Sequence, residues 1–370
     1  MMKTSLRMSV VVGLTAFLVS FGATAAEKTF NVGGWAEYDI TSGKTTFTNG
    51  DAVGSRVIGN GSVKNTGEGG RIQVTAKARI DNDHGTFVEA VAAPRFYFID
   101  GKQIAGNSQG DQYIMFGRKA WDVKLGRFEA IDLFPYGKQA ERDTDVALQR
   151  ASGISSTTLG TTGGLGYQAN LARGRDDTNR VQGAAHFNIG KAQVELGAGY
   201  ADNNGVKSTA LRPVVKFDAG RFRVAAGYDS LACETNTTNP AGCSSTNTLQ
   251  KSTTSGFGVT AGTTIGPVSA NFNVAQGKAK TTTFGGTSVS GNKMTSYGIN
   301  GSRGRFGAGY IHDKTNNVGK QDTLYGAYTV PLMGSKDASV TFAANTSKAK
   351  YNGGDSVKNN QLRARFNYNF

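Results

Sequence analysis

Apolar and polar residues alternate one by one along most of the chain. In residues 362–370, Leu362, Ala364, Phe366, Tyr368 and Phe370 hold one parity, and Arg363, Arg365, Asn367 and Asn369 hold the other. Successive side chains of a strand point to opposite faces, so this stretch reads as a two-faced strand. Alone it fits two settings. It could edge a soluble sheet, apolar face to the core, or stand in a membrane barrel, apolar face to lipid and polar face to a wet lumen.

The same pattern recurs from end to end. Phe30, Val32, Ala36 and Tyr38 alternate with Asn31, Trp35, Glu37 and Asp39, and Ile72, Val74, Ala76, Ala78 and Ile80 with Arg71, Gln73, Thr75, Lys77 and Arg79. Further alternating segments meet at tight turns, such as those at Gly85, Gly190, Gly220, Gly266 and Gly304. Between these hairpins lie stretches rich in Gly, Asn, Thr and Ser, read as long loops at 41–70, 99–111, 129–144, 201–208, 231–255, 276–293, 313–321 and 346–361. Short turns at one end and long loops at the other are the layout of a transmembrane antiparallel β-barrel. The expected fold is therefore all-β, one barrel domain over residues 27–370. It has 18 strands, or 16 if a weak segment such as 145–151 is not a strand. Aromatics at strand ends (Tyr38, Tyr200, Tyr228, Tyr310, Tyr328, Tyr368) suit interfacial girdles, and tip the reading from sandwich to barrel.

Composition agrees. The chain has 51 Gly and 6 Pro in 370 residues, is 38% hydrophobic, and has a mean hydropathy of −0.35. A barrel hides its apolar residues in alternation, so its average looks soluble. Beyond the N-terminus no apolar run reaches the ~20 residues of a membrane helix. The start is different: Lys3 and Arg7 precede an apolar stretch over 8–21, followed by small residues ending at Ala25 and Ala26. That is the layout of a secretory signal peptide over residues 1–26, cleaved after 25 or 26, and implies export. In an exported chain the only two cysteines, Cys233 and Cys243, form a candidate disulfide stapling a loop.

At this point the chain resembles a Gram-negative outer-membrane porin of the general trimeric family. The resemblance rests on the terminal strand ending in Phe370, and on the hairpin over 113–128, which is similar to the one preceding a porin constriction loop. It implies a homotrimer surrounded by outer-membrane lipid and lipopolysaccharide, with Phe370 as the signal read by the outer-membrane assembly machinery. It also implies an inward-folded constriction loop carrying Glu129, Asp132, Phe134, Tyr136, Glu141, Asp143 and Asp145. Lys138 and Arg142 depart from the acidic loop of general porins, and a count near 18 strands resembles sugar-selective porins instead.

Net charge is +14, with no nucleic-acid-binding module to claim it. Strand parity puts Arg71, Lys77, Arg79, Lys124, Arg212, Lys216, Arg223, Arg363 and Arg365 on polar faces. A cation facing lipid at the midplane costs about 2–4 kcal/mol, so these are candidate basic pore-wall residues. Arg127 is added at the root of the loop, although its parity is that of the lipid face. A wall of cations opposite loop carboxylates predicts a transverse field and a modest preference for small anions. The alternative within transport is an oligosaccharide- or organic-anion-selective porin, with Trp35, Phe128, Phe134 and Tyr136 as candidate stacking rings for sugars. A barrel without a channel, serving as adhesin or structural anchor, is the reading outside transport. The three histidines are scattered and assemble no catalytic set, so neither an enzyme, a metal nor a cofactor is expected.

Overall fold

The structure, a computed structural model, describes residues 27–48, 61–99, 102–104, 109–128, 131, 181–203, 206–235, 249–283, 288–354 and 356–370. Strands make up nearly all of them. They are β1 (Glu27–Thr48), β2 (Gly61–Asp81), β3 (Thr86–Ile99), β4 (Lys102–Ile104), β5 (Gln109–Arg118), β6 (Trp121–Arg127), β7 (Val181–Ile189), β8 (Ala192–Asn203) and β9 (Val206–Asp218). There follow β10 (Phe222–Thr235), β11 (Leu249–Ile265), β12 (Val268–Thr283), β13 (Ser288–Arg303), β14 (Phe306–Thr315), β15 (Gly319–Pro331), β16 (Ala338–Tyr351) and β17 (Ser356–Asn369).

All pairings are antiparallel, and the sheet closes because β1 pairs with both β2 and β17. Of the 17 strands among the described residues only β4 stays off the ring, pairing with β3 alone, so the barrel has 16 strands, the lower of the two expected counts. The weak segment 145–151 lies outside the described residues. The ring closes because β6 pairs directly with β7.

The core is inverted relative to a soluble sheet. Phe306 and Leu362 are 63% exposed on the outer face, whereas Arg212 and Glu195 are 1% exposed inside. Outward rings form two levels. Phe187, Phe217, Phe222 and Phe306 lie by the short turns, and Tyr200, Tyr228, Phe257 and Tyr297 lie a span higher. A tilted strand crosses hydrocarbon in about 9–11 residues. Yet β1 has 22 residues and β2 has 21.

That excess corrects several of the expected long loops. Thr41 through Thr46 pair with Gly67 through Ser62 in regular register. Leu231 through Glu234 pair with Thr254 through Lys251, and β14 reaches β15 through residues 316–318 alone. Above the lipid both faces meet water, so apolar alternation stops while backbone pairing continues. The sequence pattern therefore ends before the strand does.

At the opposite end the connections are tight. In the β2–β3 turn the Asn82 side chain accepts from the N–H groups of His84 at 3.1 Å and Thr86 at 2.9 Å. Gly85 supplies the positive φ (+69°) that this reversal needs. The chain terminus seals the seam there. Gly34 N–H donates to the Phe370 carbonyl at 2.8 Å, and Phe370 N–H donates back at 3.0 Å. The Phe370 ring fills the space where a Gly34 side chain would stand: a Cβ there would lie 2.7 Å from Phe370 Cζ and 2.3 Å from the Gln73 carbonyl oxygen. Gly34→Val should therefore prise open the β1–β17 seam and abolish most of the compact, heat-modifiable band of the folded barrel on unboiled SDS gels. An unchanged band would contradict this account of closure.

Candidate functional site

The inward face divides into two unlike halves. The charged half runs over β17, β1–β3 and β5–β10. Asp39 on β1 binds two arginines of the last strand: Arg365 Nε donates to it at 2.7 Å, as does Arg363 Nε. Arg365 also lies 3.2 Å from Glu37, which binds Arg71 on its other side. On β2 and β3, Glu89 holds Lys77 at 2.6 Å and Arg79 at 3.5 Å, and Arg79 also forks onto Asp81 at 2.7 and 2.8 Å. Arg95 donates to Gln73 Oε1 at 2.6 Å. The Arg71 and Arg95 guanidiniums sit 5.0 and 5.2 Å from the Trp35 ring centre, a cation–π arrangement that occupies this ring.

A second charged cluster receives the chain as it leaves β6. Gln182 Nε2 donates to the Phe128 carbonyl at 3.4 Å, and Phe128 itself is buried, edge-on to Tyr113 and beneath the Lys124 ammonium. Ile131 N–H donates to Glu195 Oε2 at 2.9 Å, and its carbonyl accepts from Arg212. Arg212 Nε lies 2.9 Å from Asp229, and its Nη1 lies 3.5 Å from Glu195. His186 is clamped between Asp122 at 2.5 Å and Glu195 at 3.0 Å. Backbone and side-chain bonds thus fix the root of the segment after β6 to β7, β8 and β9, inside the barrel.

The other half, β11–β16, is nearly neutral. Its inward residues are amides and hydroxyls: Asn271 donates to Asn300 at 2.9 Å, Thr323 and Ser347 bond at 2.7 Å, and Thr329 and Thr341 at 2.9 Å. Among its described residues, Asp313 is the one inward charge, bonded to the Ser296 hydroxyl at 2.6 Å. The lumen therefore faces a charged arc with a hydrogen-bonding arc.

Nine of the basic residues singled out in the sequence (Arg71, Lys77, Arg79, Lys124, Arg212, Lys216, Arg223, Arg363 and Arg365) take the inward parity. Arg127 does not. It pairs with Gln112, on the face of the exposed Leu125 and Ile114, directly after Gly126 at φ +126°. Among the described residues Lys216 and Arg223 have no ion pair. Glu129, Asp132, Phe134, Tyr136, Glu141, Asp143, Asp145 and Cys243 lie outside the described residues; Cys233 is disulfide-bonded. The basic residues singled out from the sequence did not include Arg95, and the wall carboxylates Glu37, Asp39, Glu89, Asp122, Glu195 and Asp229 were not singled out as site residues. Parity could have found them, because all share the inward face, but not the pairs they form.

A family model described as porin-like glycoporin RafY matches residues 32–370. Among solved structures, the chain is similar to the anion-selective porin from Comamonas acidovorans. The identity is 14% and the TM-score 0.60, over 93% of this chain and 100% of that one. It is also similar to a loop L8 deletion mutant of OmpT, an outer membrane protein of Vibrio cholerae. There the identity is 14% and the TM-score 0.55, over 93% and 99% of the two chains. At these identities the likeness is one of fold. A search of curated proteins returned no match.

Arg212→Ala should loosen the loop root, since it leaves Asp229 and Glu195 buried beside no guanidinium. Breaking a buried pair in this way costs about 3–5 kcal/mol. A lower thermal unfolding midpoint and a noisier single-channel current are expected. Wild-type behaviour in both would rule out this anchor.

Proposed function

Because the chain belongs to the porin-like glycoporin family over residues 32–370, and so is an outer-membrane channel for passive diffusion, we propose that it passes small hydrophilic solutes with a modest preference for anions. The observation that carries this reading is the uneven pairing of the charged arc. Asp39 serves two arginines, and Glu89 serves a lysine and an arginine. Lys216 and Arg223 add positive charge with no ion pair among the described residues. Cations thus outnumber carboxylates along the wall, but most are partly neutralised. Screened charges a few ångströms from a passing ion act with about 1 kcal/mol. That supports a several-fold preference rather than exclusion.

A second reading concerns neutral sugars. The amide and hydroxyl arc over β11–β16 offers donors and acceptors to sugar hydroxyls, and the family description names a glycoporin. Trp35, occupied by Arg71 and Arg95, and the buried Phe128 are poor stacking platforms. Any aromatic track falls instead to Phe134 and Tyr136.

The remaining assignments are proposed on the same footing. Residues 1–26 serve as an export leader cleaved after 25 or 26. Residues 129–144 form the constriction loop, with Glu129, Asp132, Glu141, Asp143 and Asp145 facing the basic wall. Cys233 bonds Cys243, Phe370 is the assembly signal, the barrel works as a homotrimer, and it has no catalytic role.

In planar bilayers under a potassium chloride gradient, the zero-current potential should carry the sign of several-fold anion preference, and Arg363→Gln with Arg365→Gln should shift it toward cations. Cation selectivity of the wild type would sink the anion reading. Current block by added neutral oligosaccharides would support the sugar reading, and unblocked current would remove it.

A further inference from the structure

The two arcs of the wall meet on β17, and each leaves bonding capacity unspent there. On the charged side four arginines stand one per level along the seam. Arg95 shares a row with Gln73 and Trp35, Arg71 pairs with Glu37, Arg365 with Asp39, and Arg363 with Thr41. Trp35, Glu37, Asp39 and Thr41 are successive inward residues of β1, so these levels lie about 7 Å apart along the strand direction. Among the described residues two carboxylates answer the column: Glu37 binds Arg71 and Arg365, and Asp39 binds Arg363 and Arg365. The column therefore carries 4 − 2 = +2, with Arg95 bonded to the neutral side chains of Gln73 and Tyr97.

The neutral side carries a row of amides. Asn271 is the cross-strand partner of Asn300, Asn300 of Gly309, Gly309 of Tyr325, Tyr325 of Asn345, and Asn345 of Gln361. All take the inward parity, and Gly309 leaves its place on the row to the Tyr325 ring. Strands of a closed barrel tilt, so a row perpendicular to them climbs the wall instead of circling it. Asn271 stands three residues past the start of β12 at Val268, whereas Gln361 stands eight before the end of β17 at Asn369. The row thus rises away from the short turns and reaches β17 one level beyond Arg363. There Gln361, Arg363 and Arg365 are consecutive inward residues of one strand.

The amide row is only partly satisfied by the protein. Asn271 donates to Asn300 at 2.9 Å, but Asn300 Nδ2, Asn345 Oδ1 and Gln361 Oε1 are buried with no hydrogen-bond partner among the described residues. Buried amide groups left unpaired cost free energy, so a row of them calls for a ligand that supplies what is missing. The two amide oxygens need a donor, which chloride or a carboxylate lacks. Asn300 Nδ2 needs an acceptor. A hydroxyl serves either by rotating. The neighbouring arginines call for negative charge, which a planar carboxylate brings in a geometry that matches the guanidinium fork.

We propose that the preferred solute of this pore is an acidic oligosaccharide, a short chain of sugar rings bearing carboxylates. Its hydroxyls bond the amide row and its carboxylates bind the arginine column where the two meet on β17. Neither feature selects it alone: the column suits any small anion, and the row any neutral sugar. The inference rests on the anion preference proposed above and names the chemistry of the anion. It does not require that neutral sugars pass.

The test is block of the ion current through the purified protein in planar bilayers. The probes are trigalacturonate, the neutral trisaccharide maltotriose, and tricarballylate, a tricarboxylate without alcohol hydroxyls. Trigalacturonate should half-block at a concentration about tenfold below either of the others, since it alone engages both sets of groups. Asn345→Ala with Gln361→Ala should abolish its advantage over tricarballylate, and Arg95→Gln should weaken block by both charged solutes. Heat-modifiable mobility reports whether each variant is folded; if the double variant is not, Gln361→Ala alone takes its place. The proposal is overturned by equal half-block with the three solutes, or by folded variants that are blocked like wild type. Block by the acidic peptide triglutamate as strong as by trigalacturonate also overturns it, and assigns the site to peptides. The zero-current potential in a salt gradient separates the failures. Cation preference of the wild type defeats the anion reading itself, whereas anion preference with equal block defeats this inference alone.

Discussion

A strand in hydrocarbon cannot leave its backbone groups unpaired, because no water reaches them and each orphan costs several kcal/mol. A sheet crossing a membrane must therefore have no edge, and everything else in this chain follows from how that is met. The first and last strands pair over Trp35–Thr48 and Ser356–Asn369, and the backbone bonds between Gly34 and Phe370 close the final step. Only a glycine at 34 leaves room for the terminal ring. Closure turns two-faced strands into an outside and an inside, and so assigns the environment of every alternating residue at once.

The assignment makes the interior polar, and raw charge there has to be balanced. The structure balances it locally. Asp39 joins β1 to Arg363 and Arg365 across the seam, so the pairing that furnishes the lumen also reinforces closure. Glu195 holds His186, stands beside Arg212 and accepts the Ile131 N–H, so one buried carboxylate couples three wall strands to the segment that enters the lumen. Opposite, β11–β16 satisfies itself with neutral hydrogen bonds. A solute in this lumen passes between charge on one side and amides and hydroxyls on the other.

Much of this was legible from parity. The alternation in residues 362–370 gave the last strand, its lipid face and the inward direction of Arg363 and Arg365, and the tight turns at Gly85, Gly190 and Gly266 gave the hairpins. Strand ends were not legible, because Thr41–Phe47 pairs with β2 above the lipid, where no apolar face is required. Ion pairs were hidden for a different reason. Asp39 and Arg365 are 326 residues apart, and their meeting depends on the register of a seam that neither strand encodes alone. Arg127 illustrates the limit of parity: its side follows the outward face of Leu125, and its place at the loop root says nothing about a pore role.

If closure with a polar interior is what organises the molecule, a continuous aqueous path must run through it. Single-channel recording of the purified protein in a planar bilayer tests that most directly. The account predicts discrete conductance steps, linear in voltage near zero and scaling with the salt concentration of the bath. A correctly folded, heat-modifiable barrel that inserts without producing any conductance steps would contradict it.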